Sequence, residues 1–442
     1  MNVWSRARSL AEKTPPDRNR YLDFLRAVAI LVVVFGHWLA EAPYMTDTGL
    51  EVTTMLGVVA WSHLLTWAVQ VMPVFFIVGG YANAASWEAA VRDGRGYASW
   101  VQSRLARLVA PVVPLLIVWA CLAVGTRLAG VDPELIRQAS RLALIPTWFL
   151  AVYVSVILVA PGAAAAWRRY GMASFWLPVS ASILVDALAF GRGMEPLRWT
   201  NYAFVWLAVH QLGMLWRSDP AIQRLVSATW FFGGLAALVF LVEVGQYPVA
   251  MLTVPGAAFS NTRPPTVALV ALAAMQFGLL GLLQAPVRRW LQRPAVWTGT
   301  VLINGFIMTI FLWHSTVQTL LVGIAAGLGG FGLGLEPGSV GWWMLRPVWM
   351  LAMLLVLLPV VAVLGRFERE GRGGGAGVSA PVAWTQIAGA LLVSLGLALL
   401  ASYGMGSVAL PYVRVVPLAM ALGGAALILR SDRSDRSDRS DH

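Results

Sequence analysis

Charged residues are nearly absent from a succession of apolar stretches, each about 20 residues long. No other feature limits so tightly how the chain can fold. A helix of that length crosses the roughly 30 Å hydrocarbon core of a bilayer. Inside that core every backbone N–H and C=O needs a partner, which leaves an open chain only the α-helix. With 58% hydrophobic and 12% charged residues among 442, the composition lies outside the range of soluble domains. Twelve spans are expected: Tyr21 to Ala40, His63 to Ser86, Leu108 to Leu128, Leu142 to Ala165, Ala173 to Phe190, Trp199 to Trp216, Ala228 to Gly245, Thr266 to Leu283, Trp297 to Leu321, Trp342 to Leu364, Trp384 to Ala401 and Val415 to Leu429. The fold class is therefore all-α, a polytopic helical membrane protein. The polar leader Met1 to Arg20 passes into the first apolar run without a small-residue cleavage site, so the first helix is expected to stay as an anchor.

The gaps between spans carry a testable charge pattern. Every second gap is rich in arginine: Arg92, Arg95, Arg104 and Arg107; Arg168 and Arg169; Arg217 and Arg224; Arg288, Arg289 and Arg293; Arg366, Arg369 and Arg372; and the tail from Arg430. The opposite gaps are mixed or acidic, with Glu41, Asp47 and Glu51, then Asp132 and Glu134 beside Arg137 and Arg141, Glu195 between Arg192 and Arg198, Glu243 with Arg263, and Glu336. Both termini are thus expected in the cytoplasm of a plasma membrane protein. The net charge of +11 becomes its inner rim, with no call for nucleic acid. Five parts are expected: a leader (1–20), a transmembrane core (21–366), a Gly-rich linker (367–383), an additional helix pair (384–429) and a charged tail of three-residue repeats (430–442) that has no apolar face to bury. Cys121 is the only cysteine, which excludes an intrachain disulfide and a thiolate metal cage; no metal is expected. No gap is long enough for a soluble catalytic domain, so any chemistry belongs among the spans or at their rims.

Ionisable groups inside a span face the bundle interior or a wet cavity, since lipid exposure costs about 2.5 kcal/mol or more. Arg26 and His37, eleven positions apart in the first span, share one helical stripe with about 16 Å between them. Asp23 lies one turn below Arg26. Arg104 and Arg107, one turn apart at the start of the third span, present two guanidiniums suited to a phosphate. His314 lies late in its run, about 25 Å from Trp297 if the helix is continuous. Asn304, about 80° off the face of His314, and Trp148, at the start of an inward-running span, are candidate substrate contacts. Trp148 also reads as an interfacial tryptophan, and His210 as a packed one among the histidines. Glu243, Asp186 and Asn83 are intramembrane polars without a nameable partner.

Arg20-Tyr-Leu-Asp-Phe-Leu-Arg-Ala-Val-Ala-Ile followed by His37, then Met72-Pro-Val-Phe-Phe-Ile-Val-Gly-Gly, Arg104-Leu-Ala-Arg107, Thr147-Trp-Phe-Leu150 and Phe311-Leu-Trp-His314 resemble, in kind and in order, the membrane acyltransferase-3 family. The resemblance runs from about Arg20 to Arg366. It implies a ten-helix core that moves an acyl group, often acetyl, from cytoplasmic acyl-CoA to a hydroxyl of an envelope sugar, glycolipid or other small acceptor. It implies His37 as general base, Arg26, Arg104 and Arg107 with Asp23 at the donor phosphates, and His314, Trp148 and Asn304 toward the acceptor. The competing reading is a twelve-helix transporter of the major-facilitator type, which Val91-Arg-Asp-Gly-Arg-Gly96 loosely echoes. Two similar six-helix halves, expected of such a transporter, are not visible.

Overall fold

The computed structural model describes residues 3–16, 18–218, 220–370 and 382–430. Apart from their end residues, the linker expected at 367–383 and the tail expected at 430–442 lie outside these. A short helix, α1 (Val3–Glu12), precedes the first span, α2 (Arg20–Ala40). Asn19 starts α2 by accepting a hydrogen bond from the Leu22 amide at 3.4 Å, which satisfies one of the donors a helix start leaves open. Directly after α2 the chain turns into an antiparallel hairpin, β1 (Glu41–Thr46) and β2 (Gly49–Thr54), with Glu41 opposite Thr54 and Thr46 opposite Gly49. Then follow α3 (Met55–Val58), α4 (Ser62–Val69), α5 (Met72–Arg92), α6 (Tyr97–Val109), α7 (Val112–Leu128), α8 (Pro133–Leu144), α9 (Thr147–Tyr170) and α10 (Ala173–Arg192). After a 3-10 turn at Glu195–Thr200 come α11 (Asn201–Ser218), α12 (Pro220–Glu243), α13 (Val267–Trp290), α14 (Pro294–Gly305), α15 (Ile307–Gly327), α16 (Val340–Glu370), α17 (Val382–Tyr403) and α18 (Val415–Arg430).

Among the described residues ten helical runs are long and apolar enough to cross a membrane, against twelve expected; Ser62–Arg92 and Tyr97–Leu128 each count once across a break. The other two expected spans are the 18-residue α11 and the 16-residue α18. The protein is thus an integral membrane protein of helices, and the hairpin after α2 is its one sheet among the described residues.

One compact unit comprises Met1–Ala85, Gly162–Ile307 and Leu335–Trp342. Glycines let its helices touch backbone to backbone, the packing mode that replaces the hydrophobic effect in lipid. A Cβ on Gly213 would stand 2.1 Å from the Ile77 carbonyl oxygen, and one on Gly80 2.0 Å from that of His210, so α5 and α11 meet without side chains between them. Gly234 and Gly278 do the same for α12 and α13. The contact seats Asn83 against His210, with 3.3 Å between the amide nitrogen and Nε2. Gly213→Leu is expected to remove at least about 1–3 kcal/mol of stability through overpacking. Thermal unfolding in detergent checks this, and an unchanged midpoint would show that the helices do not approach so closely.

Asp186, buried in α10, accepts from Asn201 Nδ2 at 2.8 Å, the Tyr247 hydroxyl at 3.0 Å and the Val267 amide at 2.9 Å, so its partners are those the sequence could not name. They hold the loop between α12 and α13 inside the unit. Met251 of that loop donates its amide to Thr66 Oγ1 and accepts from Gln70 Nε2, while Gln276 of α13 donates to the Trp67 and Gln70 carbonyls. These carbonyls are released where α4 stops and α5 begins. Non-helical backbone at membrane depth is tolerated because side chains of this kind satisfy it.

A second unit comprises Ser86–Pro161, Met308–Gly334 and Trp343–His442. The helix pair that looked like an addition packs within it, α17 against α6 and α8 and α18 against α6 and α7. Gly389, Gly396 and Gly424 bring α17 and α18 into backbone contact. Ser155 meets Ser394 at 3.3 Å, and Trp119 Nε1 donates to Thr316 Oγ1 at 3.0 Å, tying α7 to α15.

Candidate functional site

The Arg26–His37 stripe survives as one unbroken helix. Arg26 sits in the second turn of α2, partly buried, with no ion-pair or hydrogen-bond partner among the described residues. His37, also partly buried, lies in the last turn, where its carbonyl accepts from the Glu41 amide before the hairpin starts. The rise of α2 puts about 16 Å between them along the axis. Gly36 beside His37 has open space where a Cβ would stand. Between Arg26 and His37 the helix carries only apolar side chains and Gly36, so these are the two polar groups that bound that stretch.

Asp23 is buried and turned to the leader, not to Arg26: Arg18 Nε donates to its Oδ2 at 2.5 Å. That hydrogen bond holds the Arg18 guanidinium above its ordinary pKa. Asn304, at the end of α14, donates from Nδ2 to the Asp23 carbonyl at 2.8 Å and to the Thr300 carbonyl at 2.9 Å. In this geometry Asn304 ties α14 to the start of α2. Trp297 Nε1 donates to Thr14 Oγ1 at 3.0 Å and carries the Arg20 guanidinium 5.0 Å over its ring, so the leader is docked on the same helix. The unit thus gathers Asp23, Arg26 and Asn304 at one end of α2 and sets His37 at the other.

The second unit holds the remaining candidates. Arg104, on α6, donates from Nη2 to Ser86 Oγ at 2.5 Å, lies 5.7 Å over the Trp100 ring, and shares Ser86 with Trp100 Nε1. Arg107, one turn on, is exposed. Trp148, at the first turn of α9, is partly buried, and its neighbour Phe149 meets Phe311 of α15 edge to face at 5.8 Å. The Phe311 carbonyl in turn lies 2.6 Å from His314 Nδ1. A carbonyl only accepts, so Nδ1 carries a proton, while Nε2 stands 3.1 Å from the Ser315 hydroxyl.

The expected distance from Trp297 to His314 does not hold. The run breaks at Phe306, and His314 stands seven residues, about 10 Å, into α15. The break leaves amides at the start of α15 that Glu368 of α16 satisfies. Its carboxylate accepts from Met308 N at 3.3 Å and from Thr309 N and Oγ1 at 3.0 Å each. Glu368, Ser86 and Arg18 were invisible as site-supporting residues, because each acts on a segment distant in sequence or sits in a charged flank.

No curated protein and no solved structure matches the chain. A family model described as an acyltransferase domain matches residues 19–366, a stretch that contains every candidate from Asp23 to His314, and on that match the chain belongs to the membrane acyltransferase-3 family.

Proposed function

We propose that this membrane acyltransferase takes its acyl group from acyl-CoA, with acetyl-CoA the first donor to test, and esterifies a hydroxyl of an envelope sugar, glycolipid or other small acceptor. One observation carries the reading: the unpartnered Arg26 and the imidazole of His37 on a single stripe of α2. An acceptor hydroxyl attacks the thioester carbonyl while His37 takes its proton. The carbon–sulfur bond then breaks, and the imidazolium returns the proton to the departing thiolate. Arg26 offers the donor's phosphates a bidentate partner, and Arg104 and Arg107 offer the same chemistry on α6. For the acceptor we assign Trp148 and His314, the latter acting through Nε2 as a second base, while Asn304 and Asp23 support the start of α2. The alternation of arginine-rich gaps supports a plasma membrane protein with both termini in the cytoplasm. A twelve-helix transporter is not favoured, since the family match covers most of the chain.

Membranes holding the protein, given radiolabelled acetyl-CoA and an envelope extract, are expected to release CoA and to pass label to an alkali-labile ester. Solute uptake without CoA release would replace this reading with transport. Arg26→Gln is expected to raise KM for acyl-CoA about tenfold, the weight of one charge-assisted contact, with a smaller change in kcat. An unchanged KM removes Arg26 from the donor site.

A further inference from the structure

At the end of α7 away from α6, the second unit holds four polar side chains that the proposed reaction does not use. Arg127 lies in the last turn of α7, its guanidinium carbon 5.3 Å over the ring of Tyr412. Arg414, two residues further along the turn between α17 and α18, lies 5.8 Å over the ring of Tyr403. The Nε of each arginine is buried without a hydrogen-bond partner, and among the described residues neither guanidinium has a carboxylate partner and neither tyrosine hydroxyl is bonded. A buried donor left open costs about 1–3 kcal/mol, and more when it is charged.

The nearby acids are committed elsewhere. Glu134 accepts from Arg137 and Gln138, which hold its carboxyl down at about 2, and Asp132 caps α8 through the Glu134 and Leu135 amides. Arg414 immediately precedes α18, where a cation meets the positive end of the helix dipole, a placement that disfavours it unless an anion is present. The turn is held fast: Arg414 N donates to the Met405 carbonyl at 2.9 Å, Met405 N to Ser140 Oγ at 2.8 Å, and Gly404 adopts φ +74 against the Arg137 backbone, where a side chain has no room. Leu128, Leu410 and Val416 beside these residues are 72%, 78% and 68% exposed, an apolar surround suited to lipid chains.

We propose that Arg127 and Arg414, with the hydroxyls of Tyr403 and Tyr412, bind the phosphate group of a membrane lipid. That lipid is either a phospholipid headgroup at the rim or a phosphate-bearing acyl acceptor; in the second case the proposal rests on the transferase reading. Full-length protein in detergent, mixed with palmitoyl-oleoyl phosphatidylglycerol or with a diacylglycerol of the same chains, is measured by native mass spectrometry. Wild type is expected to retain the phospholipid and not the diacylglycerol. Arg127→Gln/Arg414→Gln is expected to weaken retention at least about tenfold, while Arg192→Gln, an exposed arginine of the other unit, leaves it unchanged. Equal retention by wild type and the double variant overturns the site. Should the double variant fail to fold, the two single variants decide: about threefold weakening in each supports the site, and unchanged affinity in both overturns it.

Acyl transfer by the same variants separates the sources. A raised KM for a phosphate-bearing acceptor, with KM for acyl-CoA unchanged, identifies the acceptor. Normal transfer with lost phosphatidylglycerol identifies a headgroup that seats the unit in the bilayer. Lipid retention is measured without any acyl donor, so its failure leaves the transferase reading standing.

Discussion

His37→Ala is expected to slow acyl transfer by about 10²–10⁴-fold, the usual contribution of a positioned proton acceptor, while the protein still inserts and still binds acyl-CoA. The expectation follows from where His37 lies. It is in the last turn of α2, with its carbonyl held by the Glu41 amide, so the imidazole is the only part of the residue that the substitution changes. Trp38, fully buried beside it, fixes the rotation of that turn. The binding of the donor's phosphates is assigned to Arg26, about 16 Å away along the same helix, so KM for acyl-CoA should move little and kcat should carry the loss. Added imidazole is expected to restore part of the rate, because alanine vacates the volume that the His37 ring itself occupies. Single-turnover measurement with labelled donor separates this from an effect on product release. A variant that transfers at the wild-type rate would end the assignment of His37 as base.

The bilayer made most of this fold legible. Apolar runs of about 20 residues have one option in lipid, and α2, α10, α11 and α17 begin and end within a few residues of where hydropathy puts them. The breaks at Gln70 and at Phe306 were not legible, since the apolar character continues through them, whereas the break between α6 and α7 falls where the third span was expected to begin, at Leu108. Distant side chains satisfy the backbone next to the Gln70 and Phe306 breaks, Gln276 at the Gln70 carbonyl and Glu368 at the first amides of α15. The hairpin after α2 shows in the sequence only as a gap with Glu41, Asp47 and Glu51, because β1 and β2 lack a clear alternation of apolar and polar residues. The Asp47-Thr48-Gly49 turn was the signal available, and Gly49 does take a positive φ. The site divides in the same way. Of the candidates, Arg26 and His37 keep the spacing expected of them because both lie on one helix, where spacing is geometry. Asp23 pairs with Arg18 and Asn304 holds a backbone carbonyl, contacts that no spacing rule contains.

Glu368→Ala is expected to lower stability by about 2–4 kcal/mol and to loosen the start of α15. The carboxylate is 3% exposed, and it accepts two backbone amides and a hydroxyl at the first turn after the break. Alanine leaves those donors buried without a partner, at about 1–3 kcal/mol each before relaxation, and removes a negative charge from the positive end of a helix. Glu368→Gln keeps an acceptor oxygen in place and loses only the charge, so about half the effect is expected. The readout that a general loss of stability would not move selectively is hydrogen exchange. The amides of Met308 and Thr309 should exchange faster in the alanine variant than those of α2 or α13, with glutamine between. His314 stands two turns further along α15, its ring nitrogen tied to the Phe311 carbonyl of that helix, so any shift in the first turn reaches the imidazole through a rigid element. Transfer by Glu368→Ala should therefore fall further than its folded fraction. Protection of Met308 and Thr309 that is unchanged in the alanine variant would show that the helix start is held by other contacts, and Glu368 would lose its place as the residue that positions His314.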